Sequence, residues 1–177
     1  MNDEPSVPDK APEVETNQPK AGLKLLPLVA LLIFLAGIAH FSNQPAREQD
    51  LKPWLNQYPR LIKAVQGLPH IQLNYEGHIE NNYKNPASFI QFCLRKTVHF
   101  TMYGTLGLLV LFNLRGLGLR DKRLYVGAAL ILLLVAGLDE WHQLTVPGRM
   151  GLYYDVIVDF LGFTIFALIA RKRFSAS

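Results

Sequence analysis

Nine side chains between positions 96 and 159 have types and spacings that could carry acid–base chemistry or bind a charged ligand. Histidine exchanges a proton near neutral pH, carboxylates act as its proton partners, and lysine or arginine stabilises developing negative charge. The candidate site residues are Lys96, His99, Tyr103, Asp139, Glu140, Gln143, Arg149, Asp155 and Asp159.

Four apolar segments must position these side chains. They total 75 residues and hold only 4 of the 32 charged residues in this 177-residue chain. A bilayer crossing needs about 17–25 apolar residues. The segments are Leu25–Phe41, Thr97–Leu114, Leu124–Leu144 and Leu152–Ala170. We therefore predict an all-α membrane protein, a four-transmembrane-helix bundle, which excludes a soluble enzyme and a DNA-binding domain.

Basic residues in the short links predict how the bundle is oriented. They cluster between the second and third segments and again after the fourth, at Arg115, Arg120, Lys122, Arg123, Arg171, Lys172 and Arg173. An excess of lysine and arginine in short loops marks the cytoplasmic side. Both termini are therefore predicted to be cytoplasmic in a multi-pass protein of the cell membrane. The pI near 9.2 is attributed to this topology and not to a nucleic-acid partner.

Five regions are predicted along the chain. Residues 1–21 hold four prolines and five acids with almost no large apolar side chain, which indicates a disordered cytoplasmic tail. The regions that follow are the first transmembrane helix at 22–42, an extracytoplasmic link at 43–85, a three-helix core at 86–171 and a cytoplasmic tail at 172–177.

The extracytoplasmic link carries patterns of its own. Apolar residues recur at helical spacing over 51–65 around two prolines, which predicts a broken amphipathic helix on the membrane surface. Alternating apolar residues over 71–79, interrupted by a Glu-Gly turn, predict a short β-hairpin. Asn85 as N-cap and Pro86 in the first turn predict the start of a helix over 86–114.

Helical spacing brings the polar side chains of three helices to one depth near the outer surface. Lys96, His99 and Tyr103 share one helix face, Asp139 and Gln143 a second, and Asp155 and Asp159 a third, with Arg149 in the link above. Lys96 and Arg149 carry +2, whereas the four carboxylates carry −4. Such an excess in a low-dielectric site is relieved by protonation, by a cation or by a positively charged ligand.

Some of these residues also have purely structural interpretations. Arg149 could pair with Asp155 or Glu140 as a clamp. His142, near the outer end of its helix, is interpreted as an interfacial residue and not as a ligand. Four glycines are predicted to permit close helix packing, namely Gly104, Gly107, Gly137 and Gly162.

The ordered set of polar motifs resembles the VanZ-like membrane protein family. The motifs are Lys96-x-x-His99-Phe100-x-x-Tyr103, Asp139-Glu140-x-x-Gln143, Pro147-Gly148-Arg149 and Asp155-x-x-x-Asp159-x-x-Gly162, with Ser42-Asn43-Gln44-Pro45 after the first helix. The family usually carries asparagine at the position of Asp159. The resemblance implies a small multi-helix membrane protein. The family's namesake is linked to tolerance of the glycopeptide teicoplanin, which acts on lipid-linked cell-wall precursors.

Several functions fit this polar site. The first is to recognise or remodel an outer-leaflet lipid or lipid-linked cell-envelope component, with an effect on glycopeptide susceptibility, and this lipid is the predicted partner. The second is an enzyme in which His99 is the general acid or base, a carboxylate is its proton partner, and Arg149 and Lys96 stabilise negative charge. Whether the protein is an enzyme stays open.

Two further alternatives are weaker. A proton-coupled transporter is disfavoured, because the inner halves of the helices carry no charge and offer no polar path to the cytoplasm. Such a path would require several copies of the chain to assemble into a homo-oligomer. A structural scaffold also stays open. No zinc motif, nucleophile elbow or phosphate loop occurs in the sequence, so no metal site or cofactor is predicted.

Overall fold

The computed structural model describes residues 24–75, 77–149, 151 and 153–175. The tail predicted at 1–21 lies outside the described residues. The elements are α1 (Leu25–Ser42), a 3-10 turn (Ala46–Gln49), α2 (Lys52–Leu55), α3 (Pro59–Gln66), β1 (Gln72–Tyr75), β2 (His78–Asn81), α4 (Pro86–Gly116), α5 (Asp121–Gln143) and α6 (Tyr153–Ser175).

Four of the described helices are long and apolar enough to cross a membrane. They are α1, α4, α5 and the part of α6 from Tyr153 to Lys172. The predicted four-helix bundle is confirmed. Pro86 opens α4 as predicted, and the helix continues two residues beyond 114. Asn85 occupies the predicted N-cap position, and its side chain forms no hydrogen bond to the helix.

Each long helix buries one stripe of side chains against its neighbours. Helix α4 lies at the centre and contacts α1, α5 and α6. On α5 every fourth residue is buried, from Leu124 through Ala128, Leu132 and Ala136 to Glu140. This spacing keeps side chains on one helix face. The opposite face of α5 exposes Leu130 and Leu134, as expected for side chains that meet lipid.

The buried stripes change from apolar to polar at one end of the bundle. On α6 the buried residues Asp155 and Asp159 precede Phe163 and Ala167 at the same spacing. Because α5 and α6 run in opposite directions, the C-terminal turns of α5 lie beside the N-terminal turns of α6. We call this the site end, formed by the last turns of α1 and α5, the N-terminal half of α4 and the first turns of α6.

Glycines allow α4 and α6 to approach closely. A Cβ atom added at Gly104 or Gly107 would lie 2.8 or 2.2 Å from a phenylalanine ring of α6. A Cβ atom at Gly162 would lie 2.1 Å from the carbonyl oxygen of Phe100. These three therefore pack as predicted. The prediction for Gly137 was wrong, because a Cβ atom there would meet nothing within 4 Å.

The link between α1 and α4 contains the predicted hairpin and broken helix. Strands β1 and β2 pair antiparallel, with Leu73 opposite Glu80, and α2 and α3 form the two helical pieces. The fully buried Asn82, directly after β2, joins the hairpin to α3 and the loop that follows it: its Nδ2 donates to the carbonyl oxygens of Val65 and Pro69, both at 3.1 Å. The position of the link at the membrane surface stays a prediction.

Candidate functional site

The nine predicted site residues all lie at the site end, and their contacts form three main groups. Gln143 Nε2 links the second group to the third, because it lies 3.5 Å from Glu140 Oε1. The first group joins α4, α6 and the hairpin. Lys96 forms an ion pair with Asp155, whose side chain is 1% exposed. The Tyr75 hydroxyl donates to Asp155 Oδ1 at 2.7 Å, and Lys96 Nζ lies 3.9 Å from the centre of the Tyr75 ring. The Lys96 ammonium therefore balances the charge of Asp155. The hydrogen bond from Tyr75 attaches the hairpin to α6.

The second group joins α4, α5 and α6 in the interior. His99 Nδ1 lies 3.1 Å from Asp159 Oδ1 and 4.0 Å from Glu140 Oε1. Asp159 is 0% exposed and Glu140 is 5% exposed. The Oδ2 atom of Asp159 has no hydrogen-bond partner among the described residues. Glu140 and Asp159 continue the inward-facing stripes of α5 and α6, which explains why they are buried, whereas His99 is half-buried.

The third group joins α1 to α5 through Asp139. The Ser42 hydroxyl donates to Asp139, and Gln143 Nε2 donates to Asp139 Oδ2 at 3.0 Å. Tyr103 is buried with its hydroxyl near Asp139, although it forms no hydrogen bond of normal geometry with a described residue. His142 lies on the exposed side, where Nε2 is 2.7 Å from Asn43 Oδ1.

Arg149 fastens the α5–α6 link to the end of α1. Its Nε donates to the carbonyl oxygen of Gln44 at 3.1 Å and its Nη2 donates to that of Phe41 at 2.9 Å. The suggested ion pair with Asp155 or Glu140 was wrong, since neither pair occurs among the described residues. The side chain binds backbone carbonyls because the link folds over the C-terminal end of α1.

A cavity of about 410 Å³ opens between α1, α4 and α5 at the site end. Its polar lining includes Arg95, His99, Asp139, Gln143 and Arg149, and its apolar lining includes Ile38, Phe41, Leu51, Leu94, Val98 and Met102. Arg95 was not among the predicted site residues, because in the sequence it resembles an ordinary interfacial cation beside Lys96. Its spacing of four residues from His99 was the available signal, because that spacing places both on one helix face.

The two arginines of the cavity influence each other. Burial lowers the pKa of the Arg149 guanidinium, and the positive charge of Arg95 lowers it further. Asp139 and Glu140 oppose this shift. Because arginine stays protonated in proteins, the cavity holds two cations that repel each other.

Four apolar spans around a sheltered polar site define a polytopic membrane protein. The VanZ/LLP1 family profile matches residues 27–174, which is most of the chain. The protein belongs to this family. The match extends beyond the motifs of α4 to α6 and includes α1 and the hairpin link. No curated protein and no solved structure matches the chain.

Proposed function

We propose that this VanZ-family membrane protein binds the phosphate group of a membrane lipid or lipid-linked cell-envelope precursor in the cavity at the site end. One observation supports it most strongly. Arg95 and Arg149 line the same cavity, and neither forms an ion pair with a described carboxylate. Guanidinium groups bind phosphate oxygens through paired N–H donors. A bound phosphate would offset the repulsion between the two cations.

Arg149 is held ready for such a ligand. A guanidinium has five N–H donors, and the two bonds to the carbonyl oxygens of Phe41 and Gln44 leave three of them for a ligand. These bonds also hold the side chain in position. Because the Arg149 side chain is already ordered, binding of a ligand costs little further side-chain entropy.

The walls of the cavity favour a lipid over a water-soluble phosphate. Phe41, Leu94 and Val98 are 55%, 43% and 50% exposed while they line the cavity. Burying such apolar surface against a hydrocarbon chain is favourable. The volume also falls within the about 300–1,000 Å³ typical of ligand sites. An effect on glycopeptide susceptibility is part of this proposal, because these antibiotics act on lipid-linked precursors.

Acid–base chemistry on the bound lipid is the second candidate function. His99 lines the same cavity, and its Nδ1 contacts the buried Asp159 carboxylate. A histidine oriented by a carboxylate through one ring nitrogen can exchange protons through the other. This arrangement supports an enzyme that remodels the head group. Incubation of the wild-type protein with its copurified lipid would then change the mass of that lipid, and His99→Gln would abolish the change.

Arg95→Gln is the direct test of phosphate binding. We expect the purified variant to retain about 10- to 100-fold less phospholipid or polyprenyl phosphate than the wild type, because one charge-assisted contact is lost. Native mass spectrometry of the copurified lipid measures this. Arg47→Gln is the matched control, since Arg47 is an exposed arginine in the link between α1 and α4 and does not line the cavity.

Adding ligands back to delipidated protein separates the possible sources of phosphate. Phosphatidylglycerol vesicles, a polyprenyl phosphate in detergent and inorganic phosphate are the three probes. Binding of either lipid but not of inorganic phosphate agrees with the proposal. Equal lipid retention by wild type, Arg95→Gln and Arg47→Gln would contradict it.

A further inference from the structure

The second group of polar residues has the composition of a metal site. His99 on α4, Glu140 on α5 and Asp159 on α6 each offer one ligand atom, and these atoms lie within 4.8 Å of one another. The Oδ2 atom of the fully buried Asp159 has no hydrogen-bond partner among the described residues. Buried polar atoms are normally paired, so this oxygen indicates a partner that is not part of the protein chain.

We propose that His99, Glu140 and Asp159 bind one divalent transition-metal cation of the zinc type. Zinc lies about 2.0–2.2 Å from imidazole nitrogen and carboxylate oxygen, so its tetrahedral ligands lie about 3.4 Å apart. The distances from His99 Nδ1 to Asp159 Oδ1 and Glu140 Oε1, 3.1 and 4.0 Å, lie on either side of that value. Rotation of the Asp159 carboxylate about its Cβ–Cγ bond exchanges Oδ1 and Oδ2, so the unpaired Oδ2 can be the atom that faces the ion. Side-chain rotations must then bring ligand atoms that lie within 4.8 Å of one another to one ion.

Charge and ligand type favour the same cation. A divalent cation bound by a neutral histidine would balance the charges of both carboxylates. Imidazole is a ligand for zinc, iron, copper and nickel, while calcium and magnesium prefer oxygen ligands. Three protein ligands leave a fourth position open, as in catalytic zinc sites.

The proposed metal site shares His99 with the lining of the cavity, whereas its other two ligands, Glu140 and Asp159, do not line the cavity. Lys96 is paired with Asp155, and Asp139 accepts hydrogen bonds from Ser42 and Gln143. The sequence contains no zinc motif because the three ligands come from three helices. The metal proposal does not depend on lipid binding.

Titration of the detergent-purified protein with Zn²⁺ tests the proposal. We expect the wild type to bind one equivalent, measured by calorimetry and elemental analysis. Asp159→Asn and His99→Gln should each weaken binding by about 100-fold or more, since even loss of an outer-shell partner costs about 10–100-fold. Asp139→Asn, a neighbouring carboxylate outside the trio, should bind Zn²⁺ like the wild type. Arg95→Gln should also retain Zn²⁺ even where it loses lipid, which separates the two proposals.

A second measurement needs no variant and therefore does not depend on whether the variants fold. Co²⁺ added to the wild type should produce a visible absorption band of imidazole–carboxylate coordination, and Zn²⁺ should remove the band by displacement. Absence of Zn²⁺ binding and of a Co²⁺ band in the folded wild type would overturn the proposal. Equal loss of Zn²⁺ binding in Asp139→Asn and Asp159→Asn would also overturn it.

Discussion

Asp155→Asn is expected to lower the free energy of unfolding by about 3 kcal/mol. Removing one partner of a fully buried ion pair costs about 3–5 kcal/mol, because the remaining charge stays desolvated. We expect a value at the low end of this range, because the side chain of Lys96 is 17% exposed and keeps some contact with solvent, whereas that of Asp155 is 1% exposed. The variant also loses the charged acceptor of the Tyr75 hydroxyl. Thermal unfolding in detergent should show a Tm about 6–12 °C lower.

The chain offers a matched control for this experiment. Asp50 and Lys52 form an exposed pair at 3.6 Å, with side chains that are 33% and 48% exposed. Exposed pairs contribute at most about 1 kcal/mol, so Asp50→Asn should change Tm little. The double variant Lys96→Gln/Asp155→Asn should be less destabilised than the sum of the single variants, because no charge is left unpaired. Equal Tm losses for Asp155→Asn and Asp50→Asn would show that the buried pair adds no stability.

Gly162→Ala is expected to destabilise the bundle by at least about 2 kcal/mol. Its Cβ atom would lie 2.1 Å from the carbonyl oxygen of Phe100, a backbone atom that cannot move without moving α4. Overpacking of this kind typically costs about 1–3 kcal/mol. Separation of the two helices would also lengthen the 3.1 Å contact between His99 and Asp159. We therefore expect Gly162→Ala to lower Tm and to weaken Zn²⁺ binding together.

The same substitution at Gly137 provides the control. Gly137 also lies inside a long helix, but a Cβ atom there meets nothing within 4 Å. Alanine in a helix interior is about 1 kcal/mol better than glycine, so Gly137→Ala should leave Tm unchanged or raise it. The two variants therefore differ in the expected sign of the Tm change. A Tm for Gly162→Ala at or above that of the wild type would contradict the close approach of α4 and α6.

Most of the architecture could be predicted because it depends on local sequence. Hydropathy and length are sufficient to identify the four spans, and alternation with a turn is sufficient for the hairpin at 71–79. Helical spacing also brought Asp155, Asp159 and His99 to one end of the bundle. The orientation of the termini and the roles of the site residues stay predictions.

The grouping of the polar residues could not be predicted in the same way. Consecutive helical residues point about 100° apart, so neighbours in sequence separate in space. Lys96 contacts Asp155 of α6, whereas Arg95 lines the cavity. Glu140 lies near His99, whereas Asp139 is bound by Ser42 of α1. The direction in which each of these side chains points depends on how the helices rotate against one another.

The amino-acid sequence by itself determined that this chain forms four membrane-spanning helices with polar residues concentrated at one end, because both properties follow from the order of apolar and charged residues along each helix. Only the tertiary structure decided which polar residues meet. The close contacts at Gly104, Gly107 and Gly162 set the distance between α4 and α6. The α5–α6 link folds over the end of α1, so Arg149 donates to the backbone carbonyl oxygens there. Contacts of this kind depend on shape complementarity between distant segments, which no local pattern records.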